Sequence, residues 1–304
     1  MTLIKTGLLY FDQAVKDGSI RKAADRLQVA SSAVNRQLLQ LESELGVELF
    51  ERLPRGIRPT AAGEVLLSRI REWSHDVDQI RQEIGRLKGG VRGTIHIAAA
   101  ESITTEILPR AMSNLQVSYP GVDFQLISGD NYFIKSALLA KDADLVCAFD
   151  VSGTSRTETV TSIKSPIGVL VPPNHAFARR EYVTLSDCQE HPVIAPSENW
   201  LNHSVLKEIL EDPGLPFQIV ARVERIGMLR NLVLSGLGIA FLSPIGLGQD
   251  IHDGKLAWVP LSPGSSKPTS VSLLIPKGRI LPNYTRALIA LLKTELELEF
   301  ADAA

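Results

Sequence analysis

Apolar residues recur at helical spacing in three short runs near the start of the chain. Leu8, Leu9, Tyr10, Phe11, Ala14 and Val15 form the first run. Ile20, Ala23, Ala24 and Leu27 form the second, and Val34, Leu38 and Leu41 the third. Each run predicts a short helix that cannot bury its stripe alone, so the three must pack on one another. On the third helix Ser31, Ser32, Asn35 and Arg36 fall on the outward, N-terminal part. A helix-turn-helix presents that end to base edges. Arginine suits the two acceptors of guanine, and asparagine the donor and acceptor of adenine. Ser31 and Ser32 suit phosphate contacts or N-caps. The competing role for Arg36 is a surface ion pair with Glu42 or a neighbouring acid.

Residues 60–88 contain no proline and carry a second kind of stripe. Leu66, Ile70, Trp73, Val77, Ile80, Ile84 and Leu87 alternate at spacings of four and three. This predicts a coiled-coil seam three heptads long on a helix of about 40 Å. Thr60 is the expected N-cap and Gly89-Gly90 the stop. The simplest cover for the seam is the same helix of a second chain; packing on the chain's own C-terminal domain is the alternative.

From residue 91 the pattern alternates. Strands are expected at 94–98, 122–127, 144–149, 167–171, 193–195, 218–223, 239–242 and 270–275. Helices are expected at 102–117, despite Pro109, and at 133–140, 201–210, 226–235 and 284–298. Such alternation predicts an α/β sheet covered on both faces. Residues 161–166 and 262–268 read as crossovers between two lobes, with the last strand and helix returning to the first lobe. Hinged lobes of this kind close around a ligand.

Between the third helix and the seam runs Val47-Glu48-Leu49-Phe50-Glu51-Arg52-Leu53-Pro54-Arg55-Gly56-Ile57-Arg58-Pro59-Thr60-Ala61-Ala62-Gly63. Together with Ala23-Ala24-Asp25-Arg26-Leu27, Ser32-Ala33-Val34-Asn35-Arg36-Gln37-Leu38, Leu41-Glu42 and Leu45-Gly46, it resembles the amino-terminal domain of the LysR-type transcriptional regulators. Ser31 and Asn35 depart from that pattern, where the family often has glutamine and serine. The resemblance implies a winged helix-turn-helix over residues 1–59, a dimerising linker helix over 60–90 and an effector-binding domain over 91–304. That domain would be α/β, two-lobed and periplasmic-binding-protein-like, with lobe I at 91–163 and 267–304 and lobe II at 164–266. Seam residues Leu66, Ile70, Trp73, Val77, Ile80 and Ile84 would then join two protomers. Arg52, Arg55 and Arg58 in the wing are expected to touch phosphates or the minor groove.

Charge sharpens this picture. The 304 residues carry a formal charge of −2, unevenly spread. Residues 1–90 hold 14 Lys/Arg against 12 Asp/Glu, and residues 91–304 hold 18 against 22. A local basic patch is what phosphate contact requires. Effector residues are sought where strands end and helices begin. Those positions nominate Ser102, Ile103, Thr104, Asp130, Asn131, Asp150, Asn199 and Arg225. The acids Glu101, Asp130, Asp150 and Glu224 make a simple dicarboxylate a less obvious effector, although Arg225 could take a carboxylate or pair with Glu224.

Catalytic chemistry finds little support. The six histidines, at 75, 96, 175, 191, 203 and 252, form no metal-binding pattern, and no serine sits in a G-x-S-x-G elbow. Gly236-Leu237-Gly238 reads as a helix-ending turn rather than a dinucleotide loop. An enzyme with an added DNA-binding module would need a nucleotide loop and a base. An architectural DNA protein would have no use for a hinged cleft. Cys147 and Cys188 are the only cysteines, in no ligand spacing, and fit a reducing cytoplasm. No signal segment or membrane span is expected. The expected partners are double-stranded operator DNA, further copies of the chain as dimer or tetramer, a small-molecule effector and, for an activator, RNA polymerase. No metal or other cofactor is expected.

Overall fold

The computed structural model describes residues 5–53, 56–87, 91–129, 134, 136–138, 142–198 and 205–301. They divide into two units, Met1–Gly93 and Thr94–Ala304.

In the first unit, helices α1 (Thr6–Asp17), α2 (Ile20–Leu27) and α3 (Ser31–Leu45) precede a two-stranded wing, β1 (Phe50–Leu53) and β2 (Gly56–Pro59). Helix α4 (Ala61–Leu87) follows. Ser19 caps α2 by accepting the Lys22 N–H at 3.4 Å, and Gly18 and Gly46 end α1 and α3 in left-handed conformation. Phe11, Ala14, Ala23, Ala24, Val34, Leu38, Leu41, Leu49 and Phe50 form one buried core. The Phe11 and Phe50 rings lie 4.8 Å apart and tie the wing to α1. The wing also docks on the α1–α2 turn, where Gly18 O accepts the Ile57 N–H at 3.0 Å. Thr60 caps α4 as expected. Its Oγ1 accepts the Gly63 N–H at 3.1 Å and donates to Glu48 O at 2.8 Å. Gly63 is required there: a Cβ would stand 2.2 Å from Leu49 O.

The second unit is built on two sheets. The first has strand order β4 (Val122–Ser128), β3 (Gly93–Ala99), β5 (Leu145–Phe149), β12 (Thr269–Pro276) and β6 (Thr157–Ser165). Strands β3 and β5 are parallel, and β12 runs antiparallel to both its neighbours. Leu145, Val146, Cys147 and Ala148 are all buried, as a central strand covered on both faces requires. The second sheet places β7 (Gly168–Val171) between β10 (Ala240–Leu242) and β11 (Ala257–Pro260), all antiparallel. Strands β8 (Val193–Pro196) and β9 (Ile219–Val223) pair in parallel and join it through the Val193–Ile239 bridge. Val169 and Val171 enter one hydrophobic cluster with Phe177 and Phe241, while Leu170 enters another with Leu229 and Val233. The period of two thus feeds a core on each face.

Short helices fill the connections: α5 (Glu101–Thr105), α6 (Ile107–Ser118), α7 (Leu185–Cys188), α8 (Val205–Leu210), α9 (Ile226–Leu234) and α10 (Gly248–His252). Helix α11 (Asn283–Ala301) returns to α6, where Arg110 bridges to Glu295 at 2.8 Å and Glu299 at 2.7 Å.

Several expectations are corrected. The single helix expected over 102–117 is two, broken at Glu106, with Pro109 in the first turn of α6, where its missing N–H costs nothing. The crossover expected at 161–166 lies mostly within β6, so the chain passes between sheets through Pro166 and Ile167 alone. The return, through residues 261–268, is a loop. Of the helix expected at 133–140, residues 134 and 136–138 are helical and the others lie outside the described residues; the same holds for 201–204. Gly236, at φ 76°, does end α9. Strand β11 and helices α7 and α10, each of four or five residues, are too short for the periodicity of the sequence to predict. No helix of the described residues is long and apolar enough to cross a membrane.

Candidate nucleic-acid interface and effector domain

Helix α3 presents two distinct faces. Val34, Leu38 and Leu41 are buried, whereas Ser31, Ser32 and Arg36 are exposed and Asn35 is half-buried. The N-cap is Ala30, with no side-chain capping bond. Neither serine is therefore a cap: both stand within the first turn, and their hydroxyls remain on the surface beside the helix's positive end. Among the described residues Arg36 makes no ion pair. The partner expected for it, Glu42, accepts the Leu49 N–H at 2.8 Å and the Phe50 N–H at 3.3 Å.

In the wing, β1 and β2 pair from Phe50↔Pro59 to Leu53↔Gly56. Arg58 faces Glu51 across the hairpin in an exposed ion pair of 2.6 Å. Arg52 stands opposite Ile57 in the register. The side chain of Arg52 and all of Arg55 lie outside the described residues.

The seam on α4 divides between two surroundings. Ile70 is 1 % exposed and belongs with Leu67 to the core of its own unit, against which Leu66 also packs. Ile70 is thus corrected from a protomer-joining residue to an internal one, because its apolar surface is already covered. Farther along, Val77 is half-buried, and Trp73 and Ile80 are 45 % and 47 % exposed. The side chains of Ile84 and Leu87 lie outside the described residues.

In the second unit, Ser102 and Ile103 are buried within α5, whose N-cap is Ala100. Ser102 is therefore not the cap that its position suggested. Ile103 is a core side chain. Thr104 Oγ1 donates to Glu101 O at 2.6 Å. Asp150, at φ 49°, is occupied structurally: its carboxylate accepts Thr269 Oγ1 and the Ser270 N–H, both at 2.8 Å. Arg225 is exposed at the start of α9 and, among the described residues, makes no ion pair with Glu224 or any other acid. Asp130, Asn131 and Asn199 lie outside the described residues. The fold does bring the Ser102 and Arg225 segments together, through Glu101 and Ile226. Glu106, Thr105 and Gly246 join the same junction without any local signal in the sequence.

A winged helix-turn-helix followed by a two-lobed α/β domain defines the class: a DNA-binding protein with a ligand-sensing module. The family models narrow it. "Bacterial regulatory helix-turn-helix protein, lysR family" matches residues 6–64, and "LysR substrate binding domain" matches residues 88–297. The chain belongs to the LysR family of transcriptional regulators. It is similar to the transcriptional dual regulator GltC of Bacillus subtilis (strain 168), 29% identical over 237 residues, which cover 77% of this chain and 79% of that protein. Among solved structures, a full-length OxyR variant from Pseudomonas aeruginosa superposes with a TM-score of 0.69 at 20% identity, over 97% of this chain and 94% of that one. Full-length CbnR in complex with its target DNA superposes with a TM-score of 0.63 at 19% identity, over 95% and 99%. The protein is accordingly a DNA-binding transcriptional regulator with an effector-binding domain, not an enzyme.

Proposed function

We propose that this regulator binds operator DNA as a homo-oligomer, laying the N-terminal part of α3 in the major groove and the wing against the backbone. The observation that carries this reading is the pairing of faces on α3. Val34, Leu38 and Leu41 anchor the helix, while Ser31, Ser32 and Arg36 stand exposed with no competing ion pair on Arg36 among the described residues. In this reading Arg36 and Asn35 contact bases, and Ser31, Ser32, Arg52, Arg55 and Arg58 contact phosphates. The exposed Trp73 and Ile80 on α4 join two protomers, with Val77 and Ile84 in the same seam. The domain limits are 1–59, 60–90 and 91–304.

A small molecule between the lobes, near Ser102, Thr104, Asp130, Asn131, Asn199 and Arg225, changes the arrangement of protomers on DNA. It can do so only by differential affinity for two arrangements. The setting is the cytoplasm, and RNA polymerase is the further partner where the outcome is activation. Selection of random DNA duplexes by the purified chain tests the DNA half of the reading. An inverted repeat whose half-sites recur on one face of the duplex is expected. Recovery of no common sequence overturns it.

A further inference from the structure

Helix α5 and the residue after it reach from the first lobe to the second through three side chains. Glu101 Oε2 accepts the N–H of Ile226, at 3.3 Å, where α9 begins. The Thr105 hydroxyl, 2.6 Å from Ser102 O, also lies 3.0 Å from Gly246 O. Glu106 accepts the Gln249 N–H with Oε1 at 3.1 Å and Oε2 at 3.3 Å. Two carboxylates of one lobe thus hold backbone donors at the starts of two helices of the other.

The backbone is shaped for this contact. Gly246 has φ +78°, and a Cβ there would stand 2.1 Å from Ser102 O and 2.6 Å from Thr105 Oγ1. The lobes touch at this point because no side chain intervenes. On the far side, the Arg230 guanidinium grips the Asp250 carboxylate, so α9 and α10 are tied to each other. The loop before α10 is fixed to the crossover as well: Ser165 Oγ and Ser243 Oγ lie 2.8 Å apart and buried, and Ser243 Oγ accepts the Ile245 N–H at 3.2 Å. The contact also holds a charge against burial. Desolvation raises the Glu106 carboxyl above its ordinary range, Glu299 and Asp250 add repulsion, and Arg110 and the Gln249 N–H oppose the rise.

We propose that Glu101, Thr105 and Glu106 form a latch that holds the two lobes against each other. Any movement that separates the lobes at this junction must break the Glu101–Ile226 contact. The latch is therefore autoinhibitory: effector affinity is reduced by the fraction of molecules in which it is closed. This last step rests on the reading that the effector binds between the lobes, but the latch itself does not.

Hydrogen exchange of the ligand-free, full-length chain tests it. Glu101→Ala should raise exchange about tenfold in peptides covering residues 225–228 and leave peptides from β3 and β5 unchanged. Glu106→Ala should act likewise on residues 248–250, where the Gln249 N–H loses its acceptor. Glu101→Gln, which keeps an acceptor oxygen, should restore most of the protection at Ile226. Unchanged protection in Glu101→Ala overturns the latch, whatever any effector does. If Glu101→Ala loosens the whole domain, the comparison with Glu101→Gln decides. Protection recovered at Ile226 supports the latch, and equal exchange in the two variants overturns it.

Discussion

Glu42 lies on the helix that presents Arg36, yet its carboxylate binds the wing: Oε1 takes the N–H of Leu49 at 2.8 Å and of Phe50 at 3.3 Å. One side chain therefore ties together the two elements proposed to meet DNA. Glu42→Ala leaves two part-buried N–H groups without their acceptor. The expected loss is about 1–3 kcal/mol of stability in the N-terminal unit. Glu42→Gln, which keeps one acceptor, should recover much of it. Thermal melting of the three proteins checks this, and a melting point unmoved by Glu42→Ala would show that the bond contributes nothing.

Arg36 and Arg58 should fail in different ways. Arg36→Ala is expected to cost about 1–3 kcal/mol on operator DNA and to relax preference at one base pair. Arg58 is held by Glu51 in the free protein, so phosphate must compete for it. Arg58→Ala should weaken operator and scrambled DNA alike and reduce the salt slope by about one. Titrations of both DNAs at several salt concentrations separate the two, and equal losses for Arg36→Ala would reassign it to phosphate.

Trp73 projects from α4 with 45 % of its surface exposed. If a second protomer covers it, Trp73→Glu places an unpaired charge in that interface. Self-association should weaken by about tenfold or more, visible in sedimentation, and operator affinity should fall with it because two half-sites are no longer linked. Ile70→Ala should instead lower the melting point of the protomer. An unchanged assembly in Trp73→Glu would show that protomers join elsewhere.

Two groups give opposite pH dependence. His175 Nδ1 accepts the Phe177 N–H at 3.2 Å, and burial lowers its pKa, with His191 and Arg180 adding repulsion. The unfolded chain then binds the proton more readily. The contribution of His175 is intact above its unfolded value near 6.5 and is lost as pH falls below it. Glu106 is raised by burial, so its ionised form works against folding, and stability falls as pH rises through the raised value. His175→Asn should flatten the acid limb below about pH 6.5, and Glu106→Gln should raise the melting point at pH 7. Melting curves from about pH 4.5 to 8 measure both; parallel curves for variant and parent would remove these groups from the account.

Cys147 and Cys188 are buried free thiols, each pushed up to about 12 by burial. The thiolate is the reactive form. Neither should react with a thiol reagent in the native protein at pH 8, and both should react in denaturant. Rapid native labelling of either would contradict the packing of β5 or α7.

The legible parts were those where one local pattern has one solution. Val34, Leu38 and Leu41 repeat at helical spacing within a single element, and their burial follows directly. Ile70 shows where such a pattern stops being decisive: a heptad records that a position is covered, but the same apolar side chain serves whether its own core or a second chain covers it. Strand β6 runs Thr-Glu-Thr-Val-Thr-Ser-Ile-Lys-Ser along a sheet edge, mostly exposed or half-buried, and carries no alternation to reveal it. The Glu101–Ile226 contact joins residues 125 apart, and only the topology brings them within reach. Asp150 was legible as a polar residue at a strand end, but its use by Thr269 and Ser270 depends on β12 returning from the other lobe.

The place of β12 in the first sheet bears on the order in which the chain acquires its shape during synthesis. Among the described residues β6 pairs with β12 alone, and β5 depends on β12 for one of its two edges. A nascent chain that has emerged as far as residue 260 can complete the second sheet, whose strands are all in hand. The first sheet must wait with two open edges. Each is a template for wrong pairing until residues 269–276 arrive. The lobe written first in the chain is therefore completed second. A nascent chain that has emerged only as far as residue 268 would display a finished half-domain beside an unfinished one, and the unfinished half carries the segment that later grips α9.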